Sequence, residues 1–302
     1  MPDSDRTRYI EIDVQSALTR MDSARMPGMK WSLNPYRGCK HGCVYCYARY
    51  THTFLELHPD ADFAQTVFVK RNLVPALRNN LRQPTWRREH VSIGTATDPY
   101  QPAEGRYQLT RGALLVLRDQ LTPAGLVTKN TLALRDADIM ASLARAAGFH
   151  LLMSITTLDE ALARDLEPDV PSPQQRLRVV RELAQAGVPV SVAAAPVLPG
   201  ITDSEAQLAA LFQAAYDHGA DVAFHQPFRM YAATRVTLFQ YLHTHRPDLL
   251  EPYHRTYATA QDPPQPYRQQ LKERIQRIRQ RLGPRHPHPS PAPSSGQLSL
   301  DL

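Results

Sequence analysis

All three cysteines of this 302-residue chain fall in one stretch, Asn34-Pro35-Tyr36-Arg37-Gly38-Cys39-Lys40-His41-Gly42-Cys43-Val44-Tyr45-Cys46-Tyr47, with the spacing C-x3-C-x2-C. Cysteines kept for packing scatter through the strands and helices of a core. Here they crowd into a single glycine-flanked loop, and an odd number of thiols offers no disulfide framework. Soft thiolates at such close spacing suit an iron–sulfur cluster or zinc. Three fall one short of the four that close a structural zinc site or an all-cysteine cluster. A 4Fe–4S cluster held by three cysteines leaves one iron open to a substrate or cofactor. The competing arrangement is zinc with His41 or His52 as fourth ligand.

With Tyr45 directly before the last cysteine, the stretch resembles the signature of the radical S-adenosylmethionine (SAM) superfamily, C-x3-C-x2-C with an aromatic at that place. The resemblance implies that Cys39, Cys43 and Cys46 hold a 4Fe–4S cluster whose open iron is chelated by the amine and carboxylate of SAM. It implies that the reduced cluster cleaves SAM to methionine and a 5′-deoxyadenosyl radical, which takes hydrogen from the substrate. An electron donor such as flavodoxin or ferredoxin is then a required partner.

The chain around this loop must bury a core and position it. Hydrophobic residues make up 42% and charged residues 21%, ordinary values for a globular protein. No apolar run approaches the ~20 residues of a membrane helix, and MPDSDRTRYIEID lacks the apolar segment of a signal peptide. A cytoplasmic location is expected. The net charge of +6 favours an acidic partner.

Residues 1–27 are polar and read as an irregular lead-in lying across the mouth of a barrel. Trp31 to Pro35 reads as a short strand feeding the loop, and Tyr47 to Leu57 as a helix. Thr66–Val69 alternates like a strand and Leu73–Leu81 has helical spacing. Apolar, β-branched runs then recur at Val91–Thr95, Leu126–Thr128, Leu151–Ile155, Val188–Ala193 and Val222–Phe224. Helical segments at Thr110–Gln120, Ala137–Ala147, Pro173–Gln185 and Asp203–His218 separate them, two with start signals at Ser172-Pro173 and Thr202-Asp203-Ser204-Glu205. Alternation of this kind predicts an α/β fold of parallel βαβ units. With the strand at Trp31 it counts six strands, the number in the partial parallel (β/α)6 barrel of the radical SAM family. The barrel is expected over 28–262. An amphipathic basic helix follows over 263–282, with Leu271, Ile275, Ile278 and Leu282 on one face, then a Pro/Ser-rich, disordered linker at 283–296.

In parallel barrels chemistry gathers at the carboxyl ends of strands. Those ends read Gly94-Thr95-Ala96-Thr97-Asp98-Pro99-Tyr100, Thr128-Lys129-Asn130, Ser154-Ile155-Thr156-Thr157 (with Glu167-Pro168 and Arg176 beyond) and Pro196-Val197-Leu198-Pro199-Gly200. Taken in order after the cysteines, they resemble the spore photoproduct lyase-like branch over roughly 28–245. By that resemblance Lys129 and Ser154 look like the SAM carboxylate and ribose contacts, and Thr97 and Asp98 like SAM-side or substrate-side residues. One of Tyr45 and Tyr47 packs near the adenine; Tyr45 or Tyr100 is a candidate radical relay. The lyase uses a further cysteine as hydrogen donor at the place occupied here by Thr95. This chain has no fourth cysteine, and a hydroxyl O–H is too strong a bond to take over that task.

Positive charge in 63–88 and along Arg268–Arg285 suits phosphates, although such runs are more often solvated helix faces. The final residues Gln297–Leu302, QLSLDL, fit the Q-L-x-L-x-L peptide with which bacterial proteins dock on the DNA sliding clamp, and a linker before them would raise effective concentration near DNA. The leading expectation is a lyase-like radical SAM enzyme acting on nucleic acid, in DNA repair or base modification. The alternatives are radical modification of a protein or small molecule, and a non-catalytic zinc-bearing clamp adaptor.

Overall fold

The computed structural model describes residues 7–21 and 29–283 of the chain. Ten strands occur among them: β1 (Arg8–Ile12), β2 (Leu18–Arg20), β3 (Trp31–Leu33), β4 (Tyr36–Arg37), β5 (Thr66–Lys70), β6 (Val91–Ile93), β7 (Ala124–Thr128), β8 (Phe149–Ser154), β9 (Val190–Val197) and β10 (Val222–Pro227). Seven form one sheet in the order β10-β9-β8-β7-β6-β3-β2. Its six strands β3 and β6 to β10 run parallel, each joined to the next by a helical crossover, and β2 lies antiparallel on β3. The sheet is open, with β10 and β2 at its two ends, so the expected partial barrel of six parallel strands is what the chain forms.

Helices cover the outer face because alternate strand residues point outward. Leu126, Leu151, Met153 and Val192 share one buried core with Leu114, Leu117, Ile139, Leu143 and Leu183 of the crossover helices. Both start signals are capping boxes. Ser172 accepts from the Gln175 amide with Pro173 in the first turn, and Ser204 does the same with Gln207. Each cap satisfies donors that the helix itself cannot. The helix expected from Asp203 therefore begins at Glu205. Helices at Glu160–Leu166, Ala232–His245 and Leu250–Thr256 were not expected from the sequence. The helix Gln265–Leu282 buries Leu271, Ile275 and Ile278, with Leu282 packed beside them.

The start of the chain differs from expectation. Arg8–Ile12 is not irregular but pairs in parallel with β5, which also takes β4, in a small sheet ordered β1-β5-β4. Leu18–Arg20 edges the main sheet. Nearly every residue of β1 is exposed, so it lacks the in–out alternation by which strands are read. The helix expected over Tyr47–Leu57 is a 3-10 helix over Tyr47–Leu55. The linker beyond Gly283 and the hexapeptide Gln297–Leu302 lie outside the described residues. No described helix is long and apolar enough to cross a membrane.

Candidate active site

The cysteine loop leaves β4 through Gly38, whose φ of +84° only glycine adopts without strain. A Cβ there would stand 2.6 Å from the Thr66 carbonyl oxygen. The backbone on both sides of Cys39 is held by one buried side chain. Gln101 Nε2 donates to the Gly38 carbonyl at 3.0 Å, and its Oε1 accepts from the Lys40 amide at 3.1 Å. Thr97 Oγ1 donates to the same Gly38 carbonyl at 2.7 Å. Across the loop the buried Arg49 guanidinium donates to the carbonyls of Gly42 (2.9 Å) and Cys43 (3.1 Å). The three thiols are free. Cys39 packs with Ala48 and Phe63, Cys43 with Leu166, Leu198 and Phe228, and Cys46 touches both groups. Burial pushes the Cys43 thiol well up, with Glu167 adding to it, and Cys46 to about 11. Both stay protonated until a metal takes the proton's place.

Beside the loop, β7 and β8 end in a buried ionic centre. Lys129 Nζ donates to Ser154 Oγ at 2.5 Å, lies 3.2 Å from Glu167 Oε1 and sits over the Tyr45 ring at 5.4 Å. The Tyr45 hydroxyl donates to the same carboxylate oxygen and meets Thr156 Oγ1 at 3.0 Å. Arg176 donates from Nη2 to Glu167 Oε2 at 2.7 Å and from Nη1 to the Ser154 carbonyl at 2.8 Å. Burial works against the Glu167 charge, but Arg176 and Lys129 hold its carboxyl down to about 2. Two cations thus face one carboxylate, which leaves the three groups one positive charge in excess, and Lys129 is the more exposed cation at 15% against 1% for Arg176. An uncompensated charge in such a place favours an anionic guest.

A family model described as the Radical SAM superfamily matches residues 33–212, which span the cysteine loop, Lys129, Glu167 and Arg176. The chain belongs to the radical SAM superfamily. An uncharacterized protein of Mycobacterium tuberculosis is 36% identical over 301 residues, covering 99% of this chain and 88% of its own length. An uncharacterized protein of Methanocaldococcus jannaschii is 27% identical over 196 residues, 65% of this chain and 71% of that one. Among solved structures, a cysteine-to-serine mutant of spore photoproduct lyase superposes with a TM-score of 0.66 at 17% identity. The lyase complexed with dinucleoside spore photoproduct gives 0.65 at 15%. Both comparisons cover 89% of this chain and 78% of the lyase. At these identities the likeness is one of fold.

The family implies a 4Fe–4S cluster and SAM, and the donor set fits. The three thiols lie along the seam between two apolar clusters, on a loop whose carbonyls and amides are pinned by Gln101, Thr97 and Arg49. Among the described residues no three His, Cys, Asp or Glu side chains converge on a single metal ion. A cluster asks for less convergence, because each thiolate takes a different iron. His52, one candidate fourth ligand for zinc, has its Nε2 against the Thr66 carbonyl at 2.9 Å. The other, His41, is buried between Asn130 (3.1 Å from Nε2) and Asp98 (3.4 Å from Nδ1). Burial opposes its charge, but Cys39 and Asp98 raise its pKa to about 10.

The remaining residues singled out from the sequence separate into two groups. Lys129, Ser154 and Tyr45 meet in the ionic centre. Thr97 and Asp98 do not open onto it. Asp98 accepts from the Tyr100 amide (2.8 Å), Thr128 Oγ1 (2.7 Å) and the Lys129 amide (2.7 Å), which fixes the backbone of the lysine. Tyr100 is fully buried and donates to Asp136 at 3.0 Å, in a network with Arg111, Arg135 and Glu104. Thr95 accepts from Asn34 Nδ2 on its hydroxyl at 3.0 Å and from the Tyr47 hydroxyl on its carbonyl. Thr156, Glu167 and Arg176 stand in or beyond the strand-end strings without a role, and Gln101 directly follows one of them. Their sequence signals are slight: Glu167 and Gln101 stand beside proline, Arg176 beside an apolar run, and Thr156 is one hydroxyl among several.

Proposed function

We propose that Cys39, Cys43 and Cys46 hold a 4Fe–4S cluster and that Lys129 receives the carboxylate of SAM, with Ser154 toward its ribose. The observation that carries this reading is the pairing of two cations, Lys129 and the more deeply buried Arg176, with the single carboxylate of Glu167 beside the cysteine loop. When bound, cluster and SAM supply the 5′-deoxyadenosyl radical. The chain's own residues bind and orient. Gln101 and Arg49 set the loop, Asp98 sets the Lys129 backbone, and Glu167 with Arg176 holds the ammonium and the Tyr45 hydroxyl in place. Thr157, Thr156 and Leu166, all buried, help keep water from this wall.

The substrate we propose is nucleic acid, DNA in the first place, in a lyase-like repair or base-modifying reaction. Its supports are the net charge of +6, the fold shared with a lyase solved with a dinucleoside photoproduct, and the clamp-type hexapeptide at Gln297–Leu302. The expected partners are the DNA sliding clamp and a flavodoxin or ferredoxin as electron donor. The test is anaerobic turnover of the iron-loaded protein with SAM and a reductant, following 5′-deoxyadenosine. Release stimulated by damaged DNA and not by a protein extract supports the reading; the reverse overturns the choice of substrate.

A further inference from the structure

Large apolar side chains are exposed at eight described positions, and four of them, Tyr47, Tyr50, Phe54 and Val236, lie on just two elements. These are the 3-10 helix Tyr47–Leu55, which begins at the residue after Cys46, and the helix Ala232–His245 packed against it. Tyr47 is 43%, Tyr50 39% and Phe54 72% exposed. The rings form a row. Phe54 meets Tyr50 edge-on at 5.8 Å, Tyr50 stands one 3-10 turn from Tyr47, and Tyr47 meets Tyr231 at 5.6 Å. Arg229 then caps Tyr231 at 5.2 Å from its ring centroid.

The Tyr47 hydroxyl is tied into the fold, but no folding requirement accounts for the exposed rings of Tyr50 and Phe54, since aromatic rings left in water forgo the burial that stabilises them elsewhere. Its chemistry does select a partner. Neither element contains an Asp or a Glu, although the exposed Glu56 directly follows the first; Arg235 lies on the second, while the buried Arg49 of the first is spent on the loop carbonyls. Arg235 donates to the Tyr257 carbonyl and has no carboxylate partner among the described residues. Asp60, which reaches both elements, is taken up by Arg49 and Thr237. A strip of aromatic faces bordered by Arg235 and by Arg229, which also meets Asp262 at 3.3 Å, fits a chain of π-faces joined by phosphates. The strip is also continuous with the reactive loop. The Thr234 hydroxyl donates to the Cys46 carbonyl at 3.1 Å, and the Tyr47 hydroxyl donates to the Thr95 carbonyl at the end of β6.

We propose that the row Phe54–Tyr50–Tyr47–Tyr231 is a stacking platform for unpaired nucleobases, leading a single-stranded stretch of the substrate to the cysteine loop. The inference rests on nucleic acid being the substrate and adds that its bases must be unstacked, because a duplex hides the faces these rings would meet.

The experiment is anisotropy titration of a labelled oligothymidylate strand and of its duplex with oligoadenylate, at one fixed salt concentration, on the iron-loaded full chain. The probe variants are Tyr50→Ala with Phe54→Ala, and Phe54→Trp. The wild type should bind the single strand more tightly than the duplex. The double variant should lose about five- to a hundredfold in single-strand affinity per stacked base, with iron content and melting temperature unchanged, and Phe54→Trp should keep it. Wild-type binding that the double variant retains in full overturns the platform and leaves the substrate reading standing. Absence of any wild-type binding to strand or duplex overturns both. Conversion of a wild-type dimer to monomer by the double variant, with strand affinity unchanged, assigns the row to a second copy of the chain and overturns the proposal.

Discussion

Lys129 Nζ lies 3.2 Å from Glu167 Oε1 across 38 residues of sequence, and the same carboxylate takes Arg176 on its other oxygen at 2.7 Å. One buried acid therefore serves two bases, and the three together leave a net positive charge at the end of β7.

Glu167 ties stability to acid. Its folded pKa of about 2 lies below its ordinary 4.5, so the unfolded chain binds the proton more tightly. The stabilisation is fully present above pH 4.5 and is lost as pH falls toward 2; a shift of that size corresponds to about 3 kcal/mol. Denaturant midpoints between pH 6 and pH 2 should show this acid limb in the wild type and a shallower one in Glu167→Gln. Parallel curves would remove Glu167 from the pH dependence.

Replacing Lys129 by Ala should spare the iron and weaken SAM binding. A charge-assisted contact to a carboxylate contributes about 1.5–3 kcal/mol, which is roughly ten- to a hundredfold in affinity. Equilibrium binding of SAM to the iron-loaded variant decides it, and an unchanged dissociation constant would place the carboxylate elsewhere.

Anaerobically purified protein should carry about four irons, with the brown chromophore lost in Cys39→Ala, Cys43→Ala and Cys46→Ala. Full iron retained by Cys43→Ala refutes the cluster, and one zinc per chain without iron would favour the adaptor instead.

Gln101→Leu keeps the volume of the side chain and removes both of its bonds to the loop. The Lys40 amide is then left without that partner, at about 1–3 kcal/mol. Thermal melting should fall accordingly, and iron uptake during reconstitution should slow relative to the wild type. Uptake at the wild-type rate would mean that the loop is set by Thr97 and Arg49 alone.

Deleting Gln297–Leu302 should leave iron content, SAM cleavage and melting temperature as they are while abolishing retention on immobilised sliding clamp. Equal retention of truncated and full-length protein would refute the clamp-binding peptide.

Some of this was settled by sequence alone, because it depends on neighbours along the chain. The six parallel strands and the crossover helices follow from local periodicity, and Ser172 and Ser204 act on amides three residues away. The three thiols share a loop because they share fourteen residues of sequence. Tertiary structure decided what depends on distant partners. Glu167, Arg176 and Lys129 come together only when β7 and β8 align in the sheet and the helix Pro173–Gln185 returns over it. Likewise Thr97 and Asp98, whose residue types suggest contact with a ligand, are spent on the Gly38 carbonyl and the Lys129 amide. A buried polar group must find a partner, but its residue type does not say whether that partner is a ligand or the chain's own backbone. β1 stayed hidden for a related reason: it is an exposed edge strand held by backbone pairing to β5, and hydrogen bonds of that kind leave no pattern in the side chains.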